Sequence, residues 1–335
     1  MRFVLILAVA TVYAEDWNPR LAAQYLDARQ KEWAAWPAAK AAGGTCISCH
    51  TGMTYLLARP ALRRALGENQ PTTFETAVLD GLRARLPKRV PEGKEPQASQ
   101  KLGVEAILAA LFLTGPDAET AFDRLWPLQV REGKSRGAWA WFEFNLDPWE
   151  SPESEFFGAS LAAMAVGNAP SGYRARPEIR ERVKELTGFL QRGQEAQPLH
   201  NRLALLWASS RLPGLLTDAE RRAVAGKALS KQEPDGGWST ESLGPWREHA
   251  QAAPDKGANS YATAFAAFTL QQGGVRRDDP AVRRALGWLR SHQDSQSGAW
   301  TAVSMNKRYE AGSMQSSFMQ DAATAFAVMA LLESR

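Results

Sequence analysis

Cysteine is nearly missing from this chain: 335 residues contain two, Cys46 and Cys49, three positions apart. That excludes a disulfide framework, and a lone bridge between such near neighbours closes a loop too small to stabilise a chain of this size. Beyond the first residues, no apolar run reaches the roughly 18 positions a membrane-crossing helix needs. Runs of one charge are missing too. Basic residues (40) barely outnumber acidic ones (36) and are scattered, which reads as a solvated surface and argues against nucleic acid as a partner. Strand-like alternation competes nowhere, and the segments between helical patterns carry Gly, Pro, Asp and Ser.

At the N-terminus, Arg2 precedes an apolar run from Phe3 to Val12, and Val12-Tyr13-Ala14 sets small residues before the acidic Glu15. This pattern predicts a signal peptide over residues 1–14 and export across the inner membrane to a periplasm. Residues 15–335 are expected to form a single domain.

Both cysteines sit in "GGTCISCHTG", Gly43 to Gly52, and His50 follows the second one directly. Two thiols and one adjacent histidine leave a zinc site incomplete. A thioredoxin-like redox pair needs a strand-helix context that the flanks do not offer. Cys-x-x-Cys-His is also the attachment signature of c-type haem, in which two thiols form thioethers and the histidine reaches the iron. The competing reading is a vicinal disulfide. At Cys46, Cys49 and His50 the chain resembles a cytochrome c, a likeness confined to residues 43–53. It implies one covalent haem c, with His50 as proximal ligand. Candidates for the distal position lie in "TAVSMNKRYEAGSMQSSFMQD", where Met314 and Met319 stand ahead of Met305. The alternative there is that the loop methionines cover apolar surface.

The rest of the chain repeats itself. "YLDARQ" from Tyr25, "FLQRGQ" from Phe189 and "WLRSHQ" from Trp288 share an aromatic, a leucine and a glutamine. Glutamines also lead into Gly-Trp turns in "QEPDGGW" from Gln232, "QDSQSGAW" from Gln293 and, more loosely, "QVREGKSRGAW" from Gln129. Similar apolar segments follow the last two turns, "SYATAFAAFTL" from Ser260 and "DAATAFAVMAL" from Asp321. Gln232 to Gln293 and Thr263 to Thr324 share one offset of 61 residues.

These segments resemble the QW repeats of squalene-hopene and related terpenoid cyclases. The likeness implies an all-α fold, an α/α toroid of six helix pairs, in which glutamine and tryptophan pin the loop leaving each outer helix. Periodicity places outer helices near residues 17–31, 73–86, 118–130, 176–193, 217–231 and 279–292. Inner, alanine-rich helices are expected near 53–67, 101–114, 153–167, 199–211, 258–271 and 318–333, with Pro60 predicted to kink or shorten the first. His50 then falls at the barrel mouth, as do His200, Asn259, Ser260, Met319 and Asp321.

For catalysis the cyclase likeness lacks its acid. Squalene-hopene cyclases use Asp-x-Asp-Asp, and this sequence has no such motif. Asp321 remains a lone catalytic candidate, with helix capping as its alternative. Helical barrels also host glycosidases with two carboxylates, but Glu153 and Glu155 stand two apart on a helix and diverge, so capping and exposure are expected of them. "GAWAWFEFNLDPW", containing Trp139, Trp141, Trp149, Phe142 and Phe144, forms a candidate cavity rim. Taken together, the expectation is an exported haem protein acting in electron transfer or oxidoreduction, with a periplasmic redox partner or a small isoprenoid- or quinone-like molecule at the mouth. The alternative is a cyclase-like enzyme or isoprenoid-binding protein.

Overall fold

The computed structural model describes residues 17–41, 44–87, 96–252 and 257–333. The expected signal peptide therefore lies outside the described residues. Outer helices are α1 (Pro19–Ala35), α3 (Thr73–Arg83), α5 (Pro116–Leu125), α7 (Pro177–Gly193), α9 (Asp218–Leu229) and α11 (Pro280–Ser291). Inner helices are α2 (Gly52–Ala65), α4 (Pro96–Phe112), α6 (Ser154–Gly167), α8 (Leu199–Ser209), α10 (Ser260–Gln272) and α12 (Phe318–Leu332). The architecture is the expected α/α toroid of six pairs. A short hairpin, β1 (Lys40–Ala41) with β2 (Gly44–Thr45), joins α1 to the Cys46–Thr51 loop. Helix α2 runs unbroken through Pro60, and α4 begins five residues before its expected start.

Local chemistry explains where the outer helices begin. Asn18 caps α1 through Arg20 and Leu21 backbone N–H groups, while Thr72 and Thr217 form reciprocal capping boxes with Glu75 and Glu220. Pro116, Pro177 and Pro280 occupy first-turn positions, where no N–H is required. The inner helices are apolar on every side because every side is covered. Helix α12, for example, is buried continuously from Asp321 to Leu331. Alanines let these helices approach closely, while Tyr261, Phe265 and Phe326 fill the axis, the last two edge to face at 5.0 Å.

The repeated glutamine and tryptophan make the same bonds three times. Trp139, Trp238 and Trp300 donate their indole N–H to Leu125, Ala228 and Leu289 carbonyls at 2.7, 2.8 and 2.7 Å, each on the outer helix just left. Gln129, Gln232 and Gln293 donate within their own turn, to Gly137, Gly236 and Gly298 carbonyls. They also donate forward, to Arg182 on α7, Ala281 on α11 and Asn18 at the start of α1. The last of these links closes the ring. Thr263 and Thr324 accept from the Trp238 and Trp300 backbone at 2.9 and 3.0 Å, the structural meaning of their common offset.

Glycine is required in these turns for two reasons. Gly137, Gly236 and Gly298 have φ of +99°, +98° and +77°, a region disfavoured for other residues. Each also presses on the next outer helix: a Cβ at Gly298 would lie 2.4 Å from the Leu21 carbonyl carbon. We expect Gln293→Ala, which strands the Asn18 and Gly298 carbonyls, to cost about 1–3 kcal/mol in urea unfolding. Gly298→Ala should cost more than Gln293→Ala in the same assay, and equal stability of the two variants would contradict the close packing on α1.

Candidate functional site

All inner helices begin at one end of the toroid, and the loops entering them build its mouth. Three of those loops are tied together by polar bonds. His249 Nε2 lies 2.9 Å from Asp147 Oδ2, and Asn306 accepts from the Asp147 N–H and donates to its carbonyl at 2.8 and 2.7 Å. Arg247 donates to Asn145 at 2.7 Å. The bonds hold open a cavity of about 520 Å³, lined by Thr240, Trp246, His249, Tyr261, Met305 and Met319 among others. An adjoining space of about 70 Å³ shares Ser304 and Met319 with it and is walled by His50, Asp147, Glu150, Tyr309 and Phe318.

Glu150 is the unusual group. Its backbone pairs with Leu146, which turns the acidic side chain toward the smaller space. Among the described residues none donates a hydrogen bond to its carboxyl, and burial alone pushes the carboxyl up to about 7. Nearby Tyr309 is raised as well, by burial and by the Glu150 charge. Asp147 is buried but paired with His249. Two carboxyl groups in one cavity system thus sit in different environments, one starved of partners and one supplied with them.

His50 is fixed from behind. Tyr25 OH, Arg29 Nε and Thr51 Oγ1 donate to Asp321 at 2.8, 2.8 and 2.6 Å. Since the only hydroxyl proton of Thr51 goes to Asp321, Thr51 accepts from His50 Nδ1 at 2.9 Å, and the neutral imidazole carries its proton there. The ring stacks on Phe318 at 3.6 Å and meets Trp33 edge-on at 5.2 Å. Burial, followed by the Arg29 charge, pushes His50 down to about 3. The cysteines are free thiols: Cys49 is buried, Cys46 is partly so, and burial raises both. Ser48 caps α2 by accepting from Thr51 and Gly52, and Trp33 on α1 donates to the Cys46 carbonyl at 2.6 Å. In this first repeat the outer helix supplies the tryptophan and the loop supplies the carbonyl, reversing the later pattern.

The other residues singled out in the sequence separate. Met319 lines both cavity spaces. Met314 has its sulfur 3.1 Å from Arg29 Nη2. Asp321 is almost fully buried and has its oxygens committed to three side chains. His200 is not at the opening; it is fully buried, stacked on Phe265 at 4.3 Å and bonded to Tyr261 OH at 2.7 Å. Glu155 accepts from Ser135, and Glu153 lies half-buried near Arg247. Trp139, Trp141 and Trp149 are buried, the last against the smaller space, so the aromatic rim reduces to Phe142 and Phe144. Glu150 and the Asp147–His249 pair were missed by sequence reasoning. The only signal was polar residues placed inside the aromatic-rich "NLDPWE" loop.

No protein-family model matches the chain, and no curated protein sequence does so either. The fold is similar to the GH76A alpha-1,6-mannanase from Salegentibacter sp. HEL1_6, with a TM-score of 0.54 and 12% identity, covering 94% of this chain and 100% of that one. It is equally similar to an inactive variant of that enzyme, altered at two adjacent aspartates and bound to alpha-1,6-mannotriose, at 0.54 and 11% over the same shares of the chains. The ent-copalyl diphosphate synthase from Streptomyces platensis aligns at 0.47 and 15%, covering 83% of this chain and 50% of that one.

These findings correct the functional expectation. The mannanase structures, similar over nearly the whole chain, are of a glycoside hydrolase. Among the described residues no group of three or more His, Cys, Asp or Glu is placed to hold a metal ion. Facing His50 there is space for only a few waters, and a porphyrin has no room between it and Phe318 as the side chains pack. Neither the haem electron-transfer role, with its cytochrome c and metal-binding character, nor the cyclase alternative is supported. No described helix is long and apolar enough to cross a membrane.

The two buried histidines carry a pH dependence. His50 and His200 are pushed to about 3 and about 4, against an ordinary 6.5. The stability gained by keeping them neutral is present above pH 6.5 and is lost as pH falls toward 4 and 3. We expect the urea midpoint to drop between pH 7 and pH 4, and His200→Gln to flatten that drop; an unchanged slope would show that His200 does not contribute.

Proposed function

We propose that this chain is a glycan-binding hydrolase in which Glu150 acts as general acid at the mouth of the toroid. The observation that carries the reading is a half-buried carboxyl without a hydrogen-bond partner among the described residues, sharing a small cavity space with a second, partnered carboxylate. Glycoside hydrolysis calls for this division: one carboxylic acid protonated near neutral pH to donate to the leaving oxygen, and one ionised carboxylate to act as base or to stabilise the sugar cation. Glu150 takes the first role. Asp147, held by His249 and Asn306, takes the second. Trp246 and Tyr261 line the larger space, where flat aromatic faces suit sugar rings, and its volume lies within the ordinary range for ligand sites.

Similarity to an alpha-1,6-mannanase supports a glycan as substrate but does not transfer that enzyme's residues. The inactive mannanase variants replace two adjacent aspartates. Here the only adjacent pair is Asp278–Asp279, and it is committed elsewhere: Asp279 caps α11 and Asp278 pairs with Arg276. The acid must therefore come from a different loop. We also place the reaction outside the cytoplasm, on the export pattern of residues 1–14.

The test is release of reducing ends from alpha-1,6-linked mannooligosaccharides and from a panel of other linkages. Glu150→Gln should lower kcat by about 100-fold or more. Because the acid must hold its proton, wild-type activity should fall as pH rises through about 7. Turnover that survives Glu150→Gln with an unchanged pH profile would remove Glu150 from the chemistry. Absence of both binding and cleavage across the panel would remove the glycan.

A further inference from the structure

The imidazole of His50 is fixed on three sides. Thr51 takes its Nδ1 proton with Asp321 behind, Phe318 lies flat against the ring, and Trp33 meets it edge-on. What remains for a ligand is Nε2, which has no hydrogen-bond partner among the described residues and is not sealed by packing, although the residue is only 8% exposed. His50 is part of the wall of the smaller mouth space, together with Glu150 and Tyr309, whose polar ends also lack hydrogen-bond partners among the described residues. Burial and the Arg29 charge keep the ring neutral, so Nε2 is a lone-pair acceptor and not an acid. A fixed neutral acceptor of this kind suits a hydroxyl; an ionised carboxylate has no proton to give it. Size points the same way. The smaller space takes a few waters and adjoins the 520 Å³ cavity through Ser304 and Met319, so it admits one hydroxyl-bearing arm of a sugar whose ring lies in the larger part.

We propose that His50 is a specificity-determining residue of the glycan site, its Nε2 accepting a hydrogen bond from one hydroxyl of the sugar bound beside Glu150. The inference rests on the glycan reading and adds to it a requirement for one particular hydroxyl. Thr51 and Asp321 set the tautomer that leaves the acceptor bare, while Phe318 and Trp33 set the plane of the ring, so the direction of the bond is built in before a sugar arrives. An analogue without that hydroxyl leaves the acceptor buried and unpaired, which is how a site built around a hydrogen bond rejects it.

The experiment is nitrogen NMR of the histidine rings and indoles of the labelled full chain, titrated with alpha-1,6-mannotriose and the linkage panel, followed by kinetics on two variants. The free protein should show His50 protonated at Nδ1 and bare at Nε2, and the Nε2 resonance should move when the sugar binds. The Trp246 indole, which lines the larger space, reports sugar binding independently of His50. His50→Leu should raise KM by about tenfold to 100-fold while the pH profile set by Glu150 stays in place. His50→Gln, whose amide oxygen can accept from the same direction, should recover most of that loss, and thermal unfolding checks that both variants fold. Among singly deoxygenated mannotrioses, the one lacking the bonded hydroxyl should lose as much against the wild type as His50→Leu loses, and nothing further against that variant. A Trp246 signal that moves while Nε2 stays fixed, or equal KM for His50→Leu and the wild type, would overturn the inference and leave the glycan reading standing. No response of either signal to any sugar would overturn both.

Discussion

Asp321 is where the ring closes. It sits on the last inner helix, yet its carboxylate is held by Tyr25 and Arg29 from the first outer helix and by Thr51 from the loop entering the first inner one. A carboxylate buried to this depth is costly unless fully paired, so the three donors and the acid define one another's positions. With Gln293 bound to Asn18, this joins segments 270 residues or more apart. The pairing of each outer helix with its inner partner, by contrast, joins segments close in sequence. The closure and the ties between the mouth loops are relations that chain order does not supply.

The same carboxylate reaches the mouth through Thr51. By taking that hydroxyl proton it fixes the protonation of His50 and turns the bare nitrogen away from the network. Architecture and site chemistry are therefore linked at one residue. The repeats explain why the mouth can vary: each glutamine-tryptophan turn is secured to its own helix and to the next, so the loops beyond it are free to carry other residues. Glu150, Asp147 and His249 all lie in such loops, on a frame they do not support.

The two ends of the barrel differ for a physical reason. At the mouth, long loops fold inward and tie to one another through Asp147, Asn306 and His249, dividing the space and half-burying an acid. At the far end the connections are short and the helix ends remain open, so their last side chains alone shape a cavity there. One end offers an acid without a partner among the described residues beside a paired one; the other offers a recess lined by both polar and apolar side chains.

Much of this was legible in the sequence. Apolar periodicity marked the six pairs, and the repeated Gln, Gly and Trp foretold the pins, because each of those residue types makes its bond within its own turn or to the adjacent helix. The Cys-x-x-Cys-His segment carried a strong local signal, but a motif states which atoms are near in sequence and not how much room lies in front of them. Phe318 stacks on His50 from 268 residues away, and no local pattern could announce it. Likewise Glu150 looked like one carboxylate among 36 acidic residues. Its acidity is set by what surrounds it in space, and that was decided only when loops from three repeats met at the mouth. The sequence by itself determined the helices and their pins through short-range bonds; the tertiary structure alone decided which side chains share a cavity, because desolvation depends on neighbours that chain order does not name.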